Sequence, residues 1–582
     1  MAKHWICWTA PALRWAAAIA LGASCLAGLS APSLAESAHT TAPTLVQTEF
    51  GWVQGQTDGR VNVWLGIHYA GTTAGEYRWT PPRPPEPYGT EESPFAATEF
   101  ATPCPQNISP FGNSTPFPVT ANSVPGSADS EDCLALNIWA PAEARGALPV
   151  FVWIHGGSNV YGEGSSYDPR PLVTQGHIIV VAINYRLGAL GWLAHPLLDG
   201  DTPNSSGNYG LMDQQFAMRW VQDNIASFGG DPSRVTIGGE SAGGLDTCSH
   251  LASPTAAGLF RGGIVESGCT IGQTPQATYE AATGSAFVSK LNCTTLDCLR
   301  SSPIGQILAA EAAEGWGPVA GPNVPTLPEL PQSAFASGAF NRVPVLQGTN
   351  LDEGRLFTPL SFGVVTAQSP APSGQTTYSD ALAALLPRAT PDQLSEVASR
   401  YVPGAYEADG AAAAPGEAIS AVITDSLFAC TALRAENALS QYVPTYVYEF
   451  RDRTAPELFI PPTVFPYGAA HGSELQYLFN PDLFFPNTTY PFNPFPLNAQ
   501  QRQLSREMIR YWSNFVSTLD PNLSGANAPW RVVSQGRGDW APFSSQLANV
   551  EALVEPGPFQ ATDFAAEHQC SFWDQIGLVS GL

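Results

Sequence analysis

Unbroken apolar runs alternate along the chain with stretches in which apolar positions recur every three or four residues. Pro149-Val-Phe-Val-Trp-Ile154, Ile178-Ile-Val-Val-Ala-Ile183 and Arg234-Val-Thr-Ile237 are the clearest runs, followed by Gly263-Ile-Val265, Val343-Pro-Val-Leu346 and Thr445-Tyr-Val-Tyr-Glu-Phe450. Successive side chains of a strand point to opposite faces, so a continuous apolar run predicts a strand covered on both sides, as in a parallel sheet. Between the second and third runs, Leu211, Met218, Val221 and Ile225 fall on one face of a helix predicted over residues 209–228. Strands alternating with helices predict an α/β fold. Segments rich in Pro, Gly, Ser and Asn, at 103–130 and 484–497, read as loops, as does the small Ala run at 411–415. No internal repeat or compositional break divides the chain.

The first residues have a different logic. Lys3 and Arg14 precede an apolar, Ala-rich run, and the small residues Ser33 and Ala35 stand at the −3 and −1 positions of a cleavage site. Residues 1–35 therefore read as a secretory signal peptide, leaving 36–582 as the mature chain of a secreted or periplasmic protein, whose length alone suggests three or four domains. Cys25 as a lipoprotein acceptor is the alternative, in a poor sequence context. No later run persuasively supplies the roughly twenty apolar residues of a membrane span, so stable insertion is not expected. The net charge of −25 argues against nucleic acid as a partner. Ten cysteines, of which Cys7 and Cys25 lie in the leader, are compatible with disulfides in an exported protein.

The chemistry is concentrated in two glycine-rich turns. Arg234-Val-Thr-Ile-Gly-Gly-Glu-Ser-Ala-Gly-Gly244 carries a strand into G-x-S-x-G and then into a probable helix. Glycines permit the tight turn that lifts a serine hydroxyl above a sheet, which makes Ser241 a candidate nucleophile. Trp153-Ile-His-Gly-Gly-Ser158 follows another strand, and its small residues allow backbone N–H groups to converge on one point, as an oxyanion hole requires. A plain glycine turn after a strand is the competing reading of each.

The 26 residues from Gly207-Asn-Tyr-Gly-Leu-Met-Asp213 to Phe228-Gly-Gly-Asp-Pro232, continuing to Ser241, resemble type-B carboxylesterases. Glu131-Asp-Cys-Leu-Ala-Leu-Asn-Ile-Trp139 and Asn184-Tyr-Arg-Leu-Gly-Ala-Leu-Gly-Trp192 match two further signatures of that family, and the resemblance runs from about Val46 to Trp573. It implies one large α/β-hydrolase domain over 36–582, overriding the expectation from length, with a large, mostly parallel sheet flanked by helices and with long loops and helical insertions around the active-site entrance. It further implies hydrolysis of carboxylic esters without metal or cofactor, on a small-molecule or lipid-like substrate. In Gly348-Thr-Asn-Leu-Asp-Glu-Gly354 it points to Glu353 as the acid, with Asp352 as the alternative, and in Gly468-Ala-Ala-His-Gly-Ser-Glu474 it points to His471 as the base. The order Ser241, Glu353, His471 is the order of this fold. By family position the oxyanion donors are Gly157, Ser158 and Ala242. Many relatives carry a third glycine where this chain has Ser158.

The same resemblance pairs Cys104 with Cys133, Cys293 with Cys298 and Cys430 with Cys570, and leaves Cys248 and Cys269 as buried free thiols. Arg78 with Glu131 and Arg186 with Asp213 resemble two buried structural ion pairs. Segment 105–132, one wall of the entrance, has no tryptophan to receive a choline cation, which disfavours a cholinesterase. Its Pro, Gly, Ser and Asn content makes a helical lid unfavourable. Phe111, Phe117, Trp316 and the cluster Phe484, Phe485, Tyr490, Phe492 and Phe495 are candidates for the entrance or, equally, for packing. A lipase or specialised esterase is the second enzymatic reading. A non-catalytic adhesion protein of the same fold is the remote one.

Overall fold

The apolar runs form the centre of an 11-stranded sheet. A computed structural model describes residues 44–107, 131–143, 146–269, 271–311, 315–456, 465–479, 496–522 and 539–578. All belong to one compact unit, Thr41–Leu582. In chain order the strands are β1 (Gln56–Thr57), β2 (Val61–His68), β3 (Ala135–Pro141), β4 (Leu148–Ile154), β5 (Ile179–Ile183), β6 (Gly230–Glu240), β7 (Gly262–Glu266), β8 (Val345–Asn350), β9 (Thr445–Phe450), β10 (Val550–Leu553) and β11 (Phe559–Ala561). Across the sheet they lie in the order β11-β10-β9-β8-β7-β6-β4-β5-β3-β2-β1. From β5 to β10 neighbouring strands are parallel, while β1, β2, β3 and β11 pair antiparallel at the two edges.

Period-two alternation divides the core. Along β4, Val150, Val152 and Ile154 join the apolar cluster on one face, while Phe151 and Trp153 join the cluster on the other. The first face is covered by α1 (Tyr209–Asn224) and α2 (Ala242–Ala252), through Leu211, Met218, Val221 and Leu251. The second receives a 20-residue helix, Ala499–Thr518, through Met508, Trp512 and Phe515. Trp153 packs on Phe479 at 4.7 Å and Tyr167 at 5.3 Å between ring centroids. Truncating such a side chain to alanine costs about 3–5 kcal/mol.

The six predicted strands and the helix are present; Thr445–Phe450 has the expected ends and the others are shifted. The strand expected at 343–346 is β8, Val345–Asn350, so it runs on into the sequence read as the acid loop. Helix α1 stops at Asn224, and a 3₁₀ turn carries Ile225–Phe228. The Ala run is not wholly loop, because a helix begins at Ala414 and continues through a π-helical turn, Thr424–Ala429, to Leu439. Ala414–Leu439 is long and apolar enough to cross a membrane by length and composition alone, but 78% of its most apolar window is buried within the protein, so no stable membrane insertion is indicated.

Four disulfides are formed among the described residues. Cys104–Cys133, Cys293–Cys298 and Cys430–Cys570 are those implied by the resemblance. The fourth, Cys248–Cys269, corrects the expectation of two free thiols: α2 and the turn after β7 bring the two Cα atoms to 5.4 Å, within bridging range. Arg78 grips Glu131 with two hydrogen bonds of 2.7 Å, and Arg186 grips Asp213 at 2.8 and 2.7 Å, all four side chains buried.

Candidate active site

In a parallel sheet the carboxyl ends of the strands share one edge, and the crevice opens where the chain reverses its direction of travel across the sheet. Here that point lies between β4 and β6, since β5 lies to one side of β4 and β6 to the other. His155-Gly-Gly-Ser158 leaves the end of β4, and Ser241 leaves the end of β6. Glu353 follows β8, and His471 follows β9 after a longer excursion.

Ser241 has φ +57° and ψ −120°, a conformation L-residues rarely adopt, and immediately precedes α2. Its N–H donates to Glu266 O on β7 at 2.9 Å, and its carbonyl accepts the Leu245 N–H at 2.9 Å. The strained turn requires glycine beside it: a Cβ on Gly243 would stand 2.0 Å from Ile154 O, the last carbonyl of β4. The helix after the serine therefore lies against the strand that carries the other glycine turn. In that turn Gly157, Ser158 and Asn159 have φ of +107°, +55° and +61°. Among the described residues the N–H groups of Gly157 and Ser158 have no backbone acceptor. The Ser158 side chain is exposed, and its hydroxyl shares a hydrogen bond with the Tyr161 phenol.

His471 Nδ1 lies 2.6 Å from Glu353 Oε2. The other oxygen of Glu353 accepts the Asn350 N–H at 2.8 Å, so both are occupied as a carboxylate's acceptors. Asp352 faces elsewhere: it makes two hydrogen bonds of 2.8 Å with Arg453 and accepts the Ala469 N–H at 3.2 Å. Of the two acids, the one on the imidazole is Glu353. The ring of His471 is covered by Phe357 and Phe428, at 4.8 and 5.1 Å between centroids.

The second imidazole nitrogen has no hydrogen-bond partner, and Glu240 Oε1 lies 3.1 Å from it. Burial pushes the Glu240 carboxyl up to about 7, opposed by the His471 charge. For His471, burial acts against the charged form, but Glu240 and Glu353 outweigh it and hold the imidazole above its ordinary value. Two more buried glutamates lie close behind. Glu266 accepts Trp512 Nε1–H at 2.8 Å and is pushed up to about 8 by burial, and Glu474, bonded to Asn350, is raised well above the usual carboxyl value, first by burial. Glu266 and Asn350 were not legible as site residues, since nothing local distinguishes a buried glutamate or asparagine at a strand end.

Trp316 is a core residue: its indole N–H donates to Glu311 O at 3.2 Å and its ring meets Phe287 edge-on. Phe111, Phe117 and the aromatic cluster at 484–495 lie outside the described residues, as does most of segment 105–132.

The sequence model of the "Carboxylesterase family" matches residues 42–573. The chain is 34% identical over 501 residues to the para-nitrobenzyl esterase of Bacillus subtilis (strain 168), covering 83% of this chain and 92% of that protein. It is 33% identical to the cocaine esterase of Oryctolagus cuniculus, over 90% of this chain and 94% of that one. The solved structure of a thermophilic PNB esterase superposes with a TM-score of 0.70 at 30% identity, covering 91% of this chain and all of its own. An α/β-hydrolase sheet, a strained serine at its edge and relatives matched over nearly their whole length lead to one conclusion: the chain belongs to the type-B carboxylesterase family, enzymes that hydrolyse carboxylic esters.

Proposed function

We propose that Ser241 is the nucleophile, His471 its general base and Glu353 the acid that orients the imidazole. The observation that carries this reading is the 2.6 Å bond between His471 Nδ1 and Glu353 Oε2, which leaves the other nitrogen unbonded on the side of the Glu240–Ser241 turn. With Nδ1–H donated to Glu353, the lone pair of Nε2 takes the Ser241 proton as Oγ attacks the ester carbonyl. The carbonyl oxygen becomes an oxyanion, held by the N–H groups of Gly157, Ser158 and Ala242. One such donor is typically worth roughly 100–1000-fold in rate. The tetrahedral intermediate collapses with the alcohol leaving, and the imidazolium gives that alcohol its proton. Water then repeats the sequence on the acyl-serine, releasing the acid and restoring Ser241.

The substrate class is a carboxylic ester with a fairly apolar acyl or alcohol part. We place the mature enzyme outside the cytoplasm, secreted or periplasmic. The leader sequence supports this, and so do the four disulfides, which persist in oxidising compartments.

The test is hydrolysis of p-nitrophenyl esters from acetate to palmitate by the mature protein and by Ser241→Ala. Turnover of short chains by the parent alone supports the reading. A maximum at long chains above the solubility limit selects a lipase. No Ser241-dependent turnover, together with no labelling of Ser241 by an organophosphonate, overturns it.

A further inference from the structure

The two halves of the oxyanion hole come from different segments: Gly157 and Ser158 from the loop after β4, Ala242 from the start of α2. Their N–H groups act together only if the loop keeps its position against the helix. Asn159, the residue after Ser158, is buried, with a left-handed φ of +61°. Asp246 lies four residues after Ala242, one turn along α2 on the same helix face. It too is fully buried, and among the described residues no arginine or lysine is bonded to it.

Asn159 Nδ2 donates to Asp246 Oδ1 at 3.3 Å, and Gln214 Nε2 donates to Asp246 Oδ2 at 2.6 Å. A carboxylate oxygen only accepts, so Asp246 turns the nitrogen end of each amide toward itself. Tyr185 OH lies 3.3 Å from Asn159 Oδ1 and 2.8 Å from His155 O, and the Tyr185 ring stacks on His155 at 4.4 Å. His250 Nε2 lies 2.7 Å from Gln214 Oε1, an atom that only accepts, so this nitrogen carries the proton. Burial holds His250 neutral, down to about 3. The Asn159 carbonyl also accepts the Gly188 N–H at 2.7 Å, so the loop is fixed by backbone and side chain alike. Both oxygens of Asp246 thus receive amide donors, which oppose the burial that pushes its carboxyl up to about 7.

We propose that Asn159 and Asp246 are positioning residues for the oxyanion hole: their hydrogen bond locks the Gly157–Ser158 loop to the nucleophile helix and sets the spacing of the three N–H donors. Neither touches the reacting atoms. The inference rests on the catalytic reading above. It accounts for two polar residues buried where the fold requires only packing, since a buried amide and carboxylate are costly unless they fix each other.

The test compares Asn159→Ala, Asp246→Ala and the double variant with the parent. Hydrolysis of p-nitrophenyl acetate is normalised to sites titrated by an organophosphonate. A trifluoromethyl ketone, whose hemiketal oxyanion occupies the same hole, serves as inhibitor. The expected result is a fall in kcat of about tenfold for each single variant, with KM changed by less than about threefold, since a displacement of about 1 Å can cost up to 100-fold. The inhibition constant rises by the factor by which kcat/KM falls. The double variant is no worse than the worse single one, because both remove the same bond. A structural role alone lowers the titratable fraction or the melting temperature but leaves kcat per site and ketone affinity unchanged, which overturns the proposal. Additive losses overturn it too. A parent without Ser241-dependent turnover fails the catalytic reading itself; a parent that turns over while Asn159→Ala matches it per site sinks the clamp alone.

Discussion

The Nε2 atom of His471 lies 3.1 Å from Oε1 of Glu240, the residue immediately before the nucleophile. An imidazole already bonded through Nδ1 to Glu353 therefore has carboxylates on both sides. During acyl transfer Nε2 takes the serine proton, and the imidazolium that results lies beside the Glu240 carboxyl.

This sets the pH dependence. His471 is held above its ordinary value, where burial alone would lower it, because Glu240 and then Glu353 favour its charged form. A base must be neutral, so kcat/KM rises as pH passes upward through the His471 value and is lost below it. Glu240→Gln removes the first of these raising charges. The acid limb of the kcat/KM profile is expected to move to lower pH, while kcat at the plateau falls by about tenfold or more as the imidazolium loses a buried partner. A limb that stays in place, measured from pH 5 to 9 on a soluble ester, contradicts this coupling.

Glu353 and Asp352 are adjacent carboxylates with separate tasks. Glu353→Gln replaces the acceptor on His471 Nδ1 with a group that can stabilise the wrong tautomer, and kcat is expected to fall by roughly 1,000- to 10,000-fold. Asp352→Asn weakens the bonds to Arg453, whose side chain is 58% exposed, and to Ala469. Its cost is about 1 kcal/mol of stability, discounted for solvent screening, with kcat within about threefold of the parent. Steady-state kinetics of the two variants decide the assignment, and a severe loss in Asp352→Asn with mild loss in Glu353→Gln reverses it.

The Cys248–Cys269 bond is the point at which reading the sequence and seeing the fold diverge most. Twenty-one residues separate the pair along the chain, and α2 with β7 folds between them. Iodoacetamide applied to the denatured, unreduced mature protein is expected to label no cysteine, and after reduction to label eight. Closing a loop of this length is worth about 3 kcal/mol, so Cys248→Ser with Cys269→Ser lowers the melting temperature measurably. Two labelled thiols before reduction return both residues to the free state.

The parallel centre was legible because both of its faces are buried, leaving apolar runs such as Leu148–Ile154 and Ile179–Ile183 with no polar interruption. The antiparallel strands β2 and β3 were not, because buried Asn62 and Asn137 break their apolar pattern; Asn137 Oδ1 accepts the Gly66 N–H at 2.9 Å where β2 bulges. Strand β10 was hidden by the buried Glu551. Ser241 announced itself through local glycines. Glu353 and His471, 118 residues apart, became visible only through resemblance, since no local pattern reports a contact of that span. The glutamates behind His471 and the Asn159–Asp246 bond carry no local signal at all, because their chemistry exists only after the strands have aligned.

The Arg186–Asp213 pair tests what a buried ion pair contributes here. Arg186 uses Nε and Nη2 on the two carboxylate oxygens, and its backbone N–H adds a third bond of 3.1 Å to Asp213. Arg186 Nη1 has no partner, so desolvation of the guanidinium is incompletely repaid. Asp213→Asn leaves that cation buried without its counter-charge and is expected to cost about 3–5 kcal/mol. For a protein of this length that corresponds to roughly 3–4 °C in melting temperature at fixed scan rate. Arg186→Met combined with Asp213→Leu removes both desolvation penalties and is expected to recover most of the loss. If the double variant is instead less stable than Asp213→Asn, the pair contributes net stability that apolar packing does not replace, and the two bonds to Asp213 outweigh the unsatisfied nitrogen.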